Sequence, residues 1–159
     1  RTGFRGVWHL SQCALCHHRR HGAPFLRGAV PLIRDFQDEF GEEAVISLLK
    51  KRIERYEERA EKDSNPEPDF ENGVNAFKKF GEENGLTFDL ISSDREHYKF
   101  NVTKCGYAEL MEELDAKDLG PYFMCNWDFG EATSCGMKLE RPNTIMKGDG
   151  CCNFHYKKP

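Results

Sequence analysis

The 159-residue chain contains no run of about 18 apolar residues, so it offers no candidate membrane-spanning helix. It also lacks a cationic excess: 23 Lys and Arg stand against 27 Asp and Glu, a net charge of -4. Recognition of phosphate backbones rests on a basic surface, which argues against nucleic acid as the main partner. There is no internal repeat, no low-complexity stretch and no charged-then-apolar leader, and a start at Arg1 rather than Met reads as trimmed. What the chain holds in quantity is cysteine. Seven is an odd number, so complete pairing would leave one over. A chain of this length buries about two-thirds of its unfolded surface and needs no disulfide scaffold. The expectation is a reducing, cytoplasmic setting with thiols kept for packing, metal or chemistry.

Residues 1–23 read as an irregular segment dense in Cys and His, and residues 24–159 as a single domain. From Pro24 the spacing turns helical. Leu32, Ile33, Phe36 and Phe40 form the expected apolar face, with Pro31 in a first turn and Gly41 as the stop. Ala44, Val45, Leu48, Leu49, Ile53 and Tyr56 stripe a second helix, and Phe70, Val74, Phe77 and Phe80 a third that ends near Gly85. The period then changes. Thr87 to Ile91 and His97 to Thr103 predict a hairpin, and Gly106 to Leu114 a fourth helix. A fifth runs from Gly120-Pro121 to about Ser134. Met137 to Lys147 and Cys151 to Lys157 suggest a second hairpin around Gly148-Asp149-Gly150. This order predicts an α+β fold: an antiparallel sheet of about four strands from two hairpins, packed with about five helices.

Two constellations bear on chemistry. Cys13, Cys16 and His17 match the C-x-x-C-H spacing of covalent haem attachment. Zinc is another reading, with His21 as a further ligand, but on a helix these four residues spread over about 12 Å, too far for one ion to reach. Incidental thiols in a polar segment are the plain alternative. In the second constellation Cys105 ends a strand and precedes a helix, where the positive end of the dipole favours a thiolate. Cys125 and Asp128, three apart on a helix, share a face, and Cys152 shares the strand face of Phe154 and Tyr156. Converging, these four residues could carry nucleophilic attack on an electrophilic carbon, or hold a soft metal that activates water. Buried thiols that only pack are the alternative.

The stretches Phe100 to Glu109, with Cys105 at its centre, and Gly120 to Phe129, with Cys125-Asn126-Trp127-Asp128-Phe129, carry a recognisable pattern. So do Arg141 to Gly148 and Cys152-Asn153-Phe154-His155-Tyr156. In order and spacing they resemble the L-2-amino-thiazoline-4-carboxylic acid hydrolase family over Phe100 to Tyr156. The N-terminal Cys/His segment has no place in that pattern. The paired cysteines around a Gly turn are also similar, in a general way, to vinyl-reductase-like ligand-binding domains.

The resemblance implies a small cytosolic hydrolase in sulfur amino acid metabolism. It would open a 2-aminothiazoline ring to an N-carbamoyl-cysteine. Cys105, Cys125, Asp128 and Cys152 match the motif positions, with Cys105 or Cys152 as nucleophile and Asp128 holding the amidine. Asn101, Thr144 and His155 are the candidate substrate-binding residues, an ordinary surface histidine being the competing reading of His155. No cofactor is expected, the alternative being zinc or iron on cysteines. The expected partner is a small-molecule substrate, without nucleic acid or membrane, and a homo-oligomer stays open. The competing function is a non-catalytic module of the same fold that holds a small ligand or metal. Redox sensing by Cys151-Cys152 ranks last, because adjacent strand residues face opposite ways.

Overall fold

The computed structural model describes residues 22–64 and 67–159. The N-terminal candidates Cys13, Cys16, His17 and His21 lie outside them.

Helix α1 (Gly22–Phe40) and helix α2 (Glu42–Lys62) form an α-hairpin hinged at Gly41, whose φ of 87° suits a residue without Cβ. Glu42 and Glu43 complement the positive end of α2, and Arg59 and Lys62 its negative end. The expected face of α1 is not the buried one. Leu26, Val30 and Gln37 are buried, whereas Leu32, Phe36 and Phe40 are 51, 41 and 66% exposed. The buried stripe is the one that packs into the helix-side core through Leu26 and Val30. Two exposed ion pairs flank it: Arg27 and Arg34, seven residues apart, reach Glu113 and Asp118 at 2.9 and 2.7 Å. Pro31 accordingly lies inside the helix rather than in its first turn. On α2, Val45, Leu49 and Ile53 are buried as expected, but Leu48 faces solvent.

Helix α3 (Phe70–Asn84) is capped by Asp69, whose carboxylate accepts the Asn72 N–H at 3.0 Å, and it ends at left-handed Gly85. Strands β1 (Leu86–Ser93) and β2 (His97–Cys105) form the expected hairpin, followed by α4 (Gly106–Glu113). The single helix expected from Gly120 is instead a π-helical turn, Pro121–Cys125, and then α5 (Trp127–Ser134). Asn126 N–H donates to the Pro121 carbonyl and the Trp127 indole N–H to the Tyr122 carbonyl, both five residues back.

Strand β3 (Lys138–Glu140) and β4 (Cys152–Lys157) complete an antiparallel sheet of order β1-β2-β4-β3. The fold among the described residues is thus α+β, with five α-helices against four antiparallel strands. The second hairpin differs from expectation. Its first strand stops at Glu140, because Arg141 turns inward and Pro142 has no N–H to give a ladder. A wide connection follows instead of a tight Gly148-Asp149-Gly150 turn. It is closed by a short 3₁₀ turn at Ile145–Lys147 and by Asp149, whose carboxylate accepts the Thr144 N–H at 2.7 Å.

The inner sheet face pairs Tyr98 with Tyr156 and Phe100 with Phe154 in register, their rings stacked at 4.6 and 4.9 Å. These rings, with Val102 and Cys152, belong to a sheet-side core. Leu26, Leu49, Met111 and Leu119 belong to a second, helix-side core. Cys105 and Ile145 pack against both.

Candidate functional site

The candidate residues gather along the seam between the two cores. Cys105 arrives as the last residue of β2 and sits at the N-cap position of α4. Cys125 ends the π-helical turn, and Asp128 lies three residues on, in the first turn of α5. Cys152 opens β4 on its inner face, 7% exposed, opposite Val102. Strand alternation predicts that inward placement, and the inward turn of Phe154 and Tyr156 goes with it. All five described cysteines are thiols without a disulfide.

Between these elements lies a side chain that spacing does not single out. Arg141 has a side chain only 3% exposed, and its guanidinium donates to the Asp128 carboxylate and, at 2.8 Å, to the Cys125 carbonyl. Its Cζ stands 5.1 Å from the Phe129 ring and 5.0 Å from the Phe154 ring, a cation held between two π faces. Its Nε is buried without a hydrogen-bond partner. Burial alone would lower the Arg141 pKa, but the Asp128 carboxylate beside it reverses that and raises it. The charge is therefore fixed.

Electrostatics joins the thiols to this pair. Burial, reinforced by the Asp128 charge, pushes Cys125 up to about 12, with Arg141 opposing and Cys105 and Cys152 adding to the rise. Cys152 is raised too, first by burial, against the Ile145 N–H that donates to its sulfur at 3.2 Å. Cys105 adds to that rise as well. Cys125 and Cys152 thus share one neighbourhood, each influenced by Cys105, Asp128 and Arg141. Cys125 and Cys152 are protonated at neutral pH and poor as attacking groups. Cys105 is half-buried and sits at a helix N-terminus, whose positive end favours the charged form of a thiol.

Thr144 belongs to the same loop as Arg141. It is 4% exposed, and its hydroxyl has no hydrogen-bond partner. Asn101 and His155 do not join the thiols. Asn101 pairs across the ladder with Asn153, and His155 with Lys99, on the outer face of the sheet. The sheet separates them from Cys152. His155 has its pKa lowered, first by burial and then by the Lys99 charge. Cys135 and Cys151 lie apart in role: Cys135 beside Ser134 at 4.0 Å, and Cys151 accepting from Asn153 at 3.4 Å. Among the described residues no three His, Cys, Asp or Glu side chains are disposed to hold one metal ion. Two open grooves, of about 500 and 760 Å³, lie along Glu54, Glu57, Glu58 and Glu61 and along Phe70, Leu90 and Asp94, and neither is lined by a cysteine.

Arg141 is the functional candidate that sequence patterning misses. Its only local signal is an Arg-Pro step that ends a predicted strand, and nothing in that step announces a partner at Asp128.

A family model described as L-2-amino-thiazoline-4-carboxylic acid hydrolase matches residues 18–156. No curated protein matches the chain. Among solved structures, the phenol-responsive sensory domain of the transcription activator PoxR with phenol is similar at a TM-score of 0.40 and 11% identity. The match covers 80% of this chain and 71% of that one.

Proposed function

Because the chain belongs to the L-2-amino-thiazoline-4-carboxylic acid hydrolase family, we propose that it hydrolyses a small cyclic amidine of the 2-aminothiazoline-4-carboxylate type at the Cys105, Cys125, Asp128, Cys152 and Arg141 cluster. The observation that carries this reading is the buried Arg141–Asp128 ion pair set among three thiols. A substrate with an amidinium at one end and a carboxylate at the other carries the complementary charges, so it can take the place of the pair's mutual contact. Asp128 then holds the amidinium and Arg141 the carboxylate, a planar fork suited to bidentate carboxylate binding.

The Cys105 sulfur bonds to the ring carbon between sulfur and nitrogen. The carbon–sulfur ring bond breaks with its electron pair on the departing sulfur. Water then adds to the same carbon and gives a proton to that sulfur, the bond to Cys105 breaks with its electron pair on the Cys105 sulfur, and the carbamoyl product leaves as a new thiol. No cofactor is required by these steps. The reduced cysteines fit a cytoplasmic setting, and no helix among the described residues is long and apolar enough to cross a membrane.

The test is incubation with 2-aminothiazoline-4-carboxylate, following N-carbamoyl-cysteine by mass spectrometry. Cys105→Ser is expected to lower turnover by about 10²-fold or more with an unchanged melting temperature, and Arg141→Lys to raise KM more than it lowers kcat. Full turnover in Cys105→Ser would remove the nucleophile assignment. One feature favours a second reading: the two raised thiols suit a module that holds a small ligand without reacting. Saturable binding with no product would select it.

A further inference from the structure

Helix α1 carries an apolar stripe that the rest of the described chain leaves uncovered. Phe25 is 58% exposed, and the exposed Leu32, Phe36 and Phe40 follow it in steps of seven, four and four residues. At 3.6 residues per turn these positions fall within about 80° of arc and along about 22 Å of helix. They lie beside the face that buries Leu26 and Val30. Phe25 leans on the Phe123 ring at 6.3 Å, and the Phe36 and Phe40 rings stand 6.1 Å apart. A fully enclosed aromatic side chain buries about 150–250 Å², so at 58, 41 and 66% exposure the three rings leave about 250–400 Å² to solvent. An apolar patch of that size on one chain marks an interaction surface.

Two further features of α1 are unfavourable in an isolated chain. Gly28 stands in the helix interior, where glycine is destabilising relative to alanine. A Cβ added there would meet nothing within 4 Å, so no contact inside the chain calls for a glycine, whereas a closely approaching neighbour would. Asp38 and Glu39 occupy the last turn, at the negative end of the helix dipole, with no basic residue beside them. Asp35, one turn before Glu39, adds a like-charge pair along the edge of the stripe. Among the described residues Asp35 and Glu39 have no cationic partner. On the same edge the first half of α1 holds Gly28 and no acid, next to the positive end of the dipole. The sequence leading into that end, His17-His18-Arg19-Arg20-His21, contains only Arg and His.

We propose that α1 pairs with α1 of a second copy of this chain, antiparallel about a two-fold axis near Leu32. In that arrangement Phe40 of one copy packs beside Phe25 of the other, and Leu32 meets Leu32 across the axis. Phe36 seats over Ala29 and Gly28, whose bare backbone gives the ring room. Asp35 and Glu39 come to the acid-free, positive end of the opposite helix. The patch is thus self-complementary, as a two-fold interface requires, and acids that oppose their own dipole complement that of the other copy. A parallel pair would instead set Asp35 and Glu39 against themselves. The same acids argue against a lipid surface, because helices that lie on membranes carry Lys and Arg beside their apolar face. Leu32, Ala29 and the stems of the flanking charged residues extend the contact towards the roughly 600 Å² per partner of the smallest specific interfaces, so micromolar pairing is expected.

The experiment is sedimentation equilibrium of the full chain over about 1–100 µM, a range that brackets micromolar affinity. Expected is a dimer that dissociates on dilution. Phe36→Glu should weaken association by about 30-fold or more with far-ultraviolet dichroism unchanged, and Phe40→Glu makes the same demand should Phe36→Glu fail to fold. Ile91→Glu, at an exposed apolar position on β1, should leave association as it is. Orientation is read by oxidising cysteine variants and mapping the linked peptides. Leu32→Cys should link two copies through position 32. Phe25→Cys should not link through position 25, because antiparallel pairing holds the two such positions about 20 Å apart, beyond disulfide reach. A monomer across the whole range overturns the proposal, and its co-sedimentation with phosphatidylcholine vesicles would assign the stripe to a lipid surface instead. A dimer that survives both Phe36→Glu and Phe40→Glu, or one that links through position 25, overturns it as well.

Discussion

Asp128 serves two neighbours with opposite demands. It fixes the charge of Arg141 and, through space, helps to keep Cys125 protonated. This makes Cys125 reactivity a gauge of the pair. With its pKa pushed up to about 12 from an ordinary 9.0, Cys125 should alkylate at pH 8 about 10³-fold more slowly than an unperturbed thiol, since only the thiolate attacks. Asp128→Asn is expected to speed it and Arg141→Met to slow it further, read by peptide mass mapping of iodoacetamide adducts. Equal rates in all three chains would mean that the cluster is electrostatically uncoupled. The sign for stability follows from the same shift. The folded state holds the Cys125 proton more tightly than the unfolded one, so stability falls as pH rises from about 9 to about 12. Part of this residue-level picture is legible in the chain itself: the alternation of Cys152, Phe154 and Tyr156 and the three-residue step from Cys125 to Asp128 are local relations. Arg141 is not legible that way, because its burial is set by Asp128 and by rings from α5 and β4, and nothing within a few residues of it reports them.

At the scale of elements, the helix and strand periods give nearly every element, but not which helical face is buried or where the closing hairpin bends. On α1 the apolar residues span more than one face, and the choice among them is made by the helix-side core that takes Leu26 and Val30, with Arg27 and Arg34 reaching across to Glu113 and Asp118 beside it. In the loop after β3 the Gly-rich triplet resembles a tight turn, yet the inward pull on Arg141 stretches the connection over Gly120. The contact there is close. A Cβ added at Gly120 would lie 2.2 Å from the Met146 sulfur, so any larger residue there must displace the buried methionine side chain. Gly120→Ala is expected to cost about 1–3 kcal/mol by overpacking. Met146→Ala removes the obstructing atoms, so the double variant should be more stable than the two single costs predict, by about 0.5–3 kcal/mol in a denaturant double-mutant cycle. Additive costs would place the strain elsewhere.

Across the whole molecule, the arrangement of two cores sets how the thiol cluster can fail. Cys152 belongs to the sheet-side core, Cys125 packs on the helix-side core, and Cys105 and Ile145 touch both. The cluster therefore exists only while the cores are docked, and Ile145 is a joint between them that also holds the Cys152 sulfur through its N–H. Truncating it to Ala removes contacts on both sides while leaving that backbone donor in place. Because Ile145 is only partly buried, the cost should fall near or below the low end of the usual range for such truncations, about 2 kcal/mol. The informative quantity is the slope of the urea transition. If the cores unfold as one unit, the midpoint drops and the slope is kept. If Ile145 is what couples them, Trp127 fluorescence in a Trp8→Phe background, reporting the α2–α5 contact through Tyr56 at 4.6 Å, separates from the far-ultraviolet dichroism of the whole chain. In that case alkylation of Cys125 should accelerate at urea concentrations where the sheet is still intact, since undocking exposes the thiol before either core melts. Coincident transitions by all three probes would make the seam an integral part of one cooperative core.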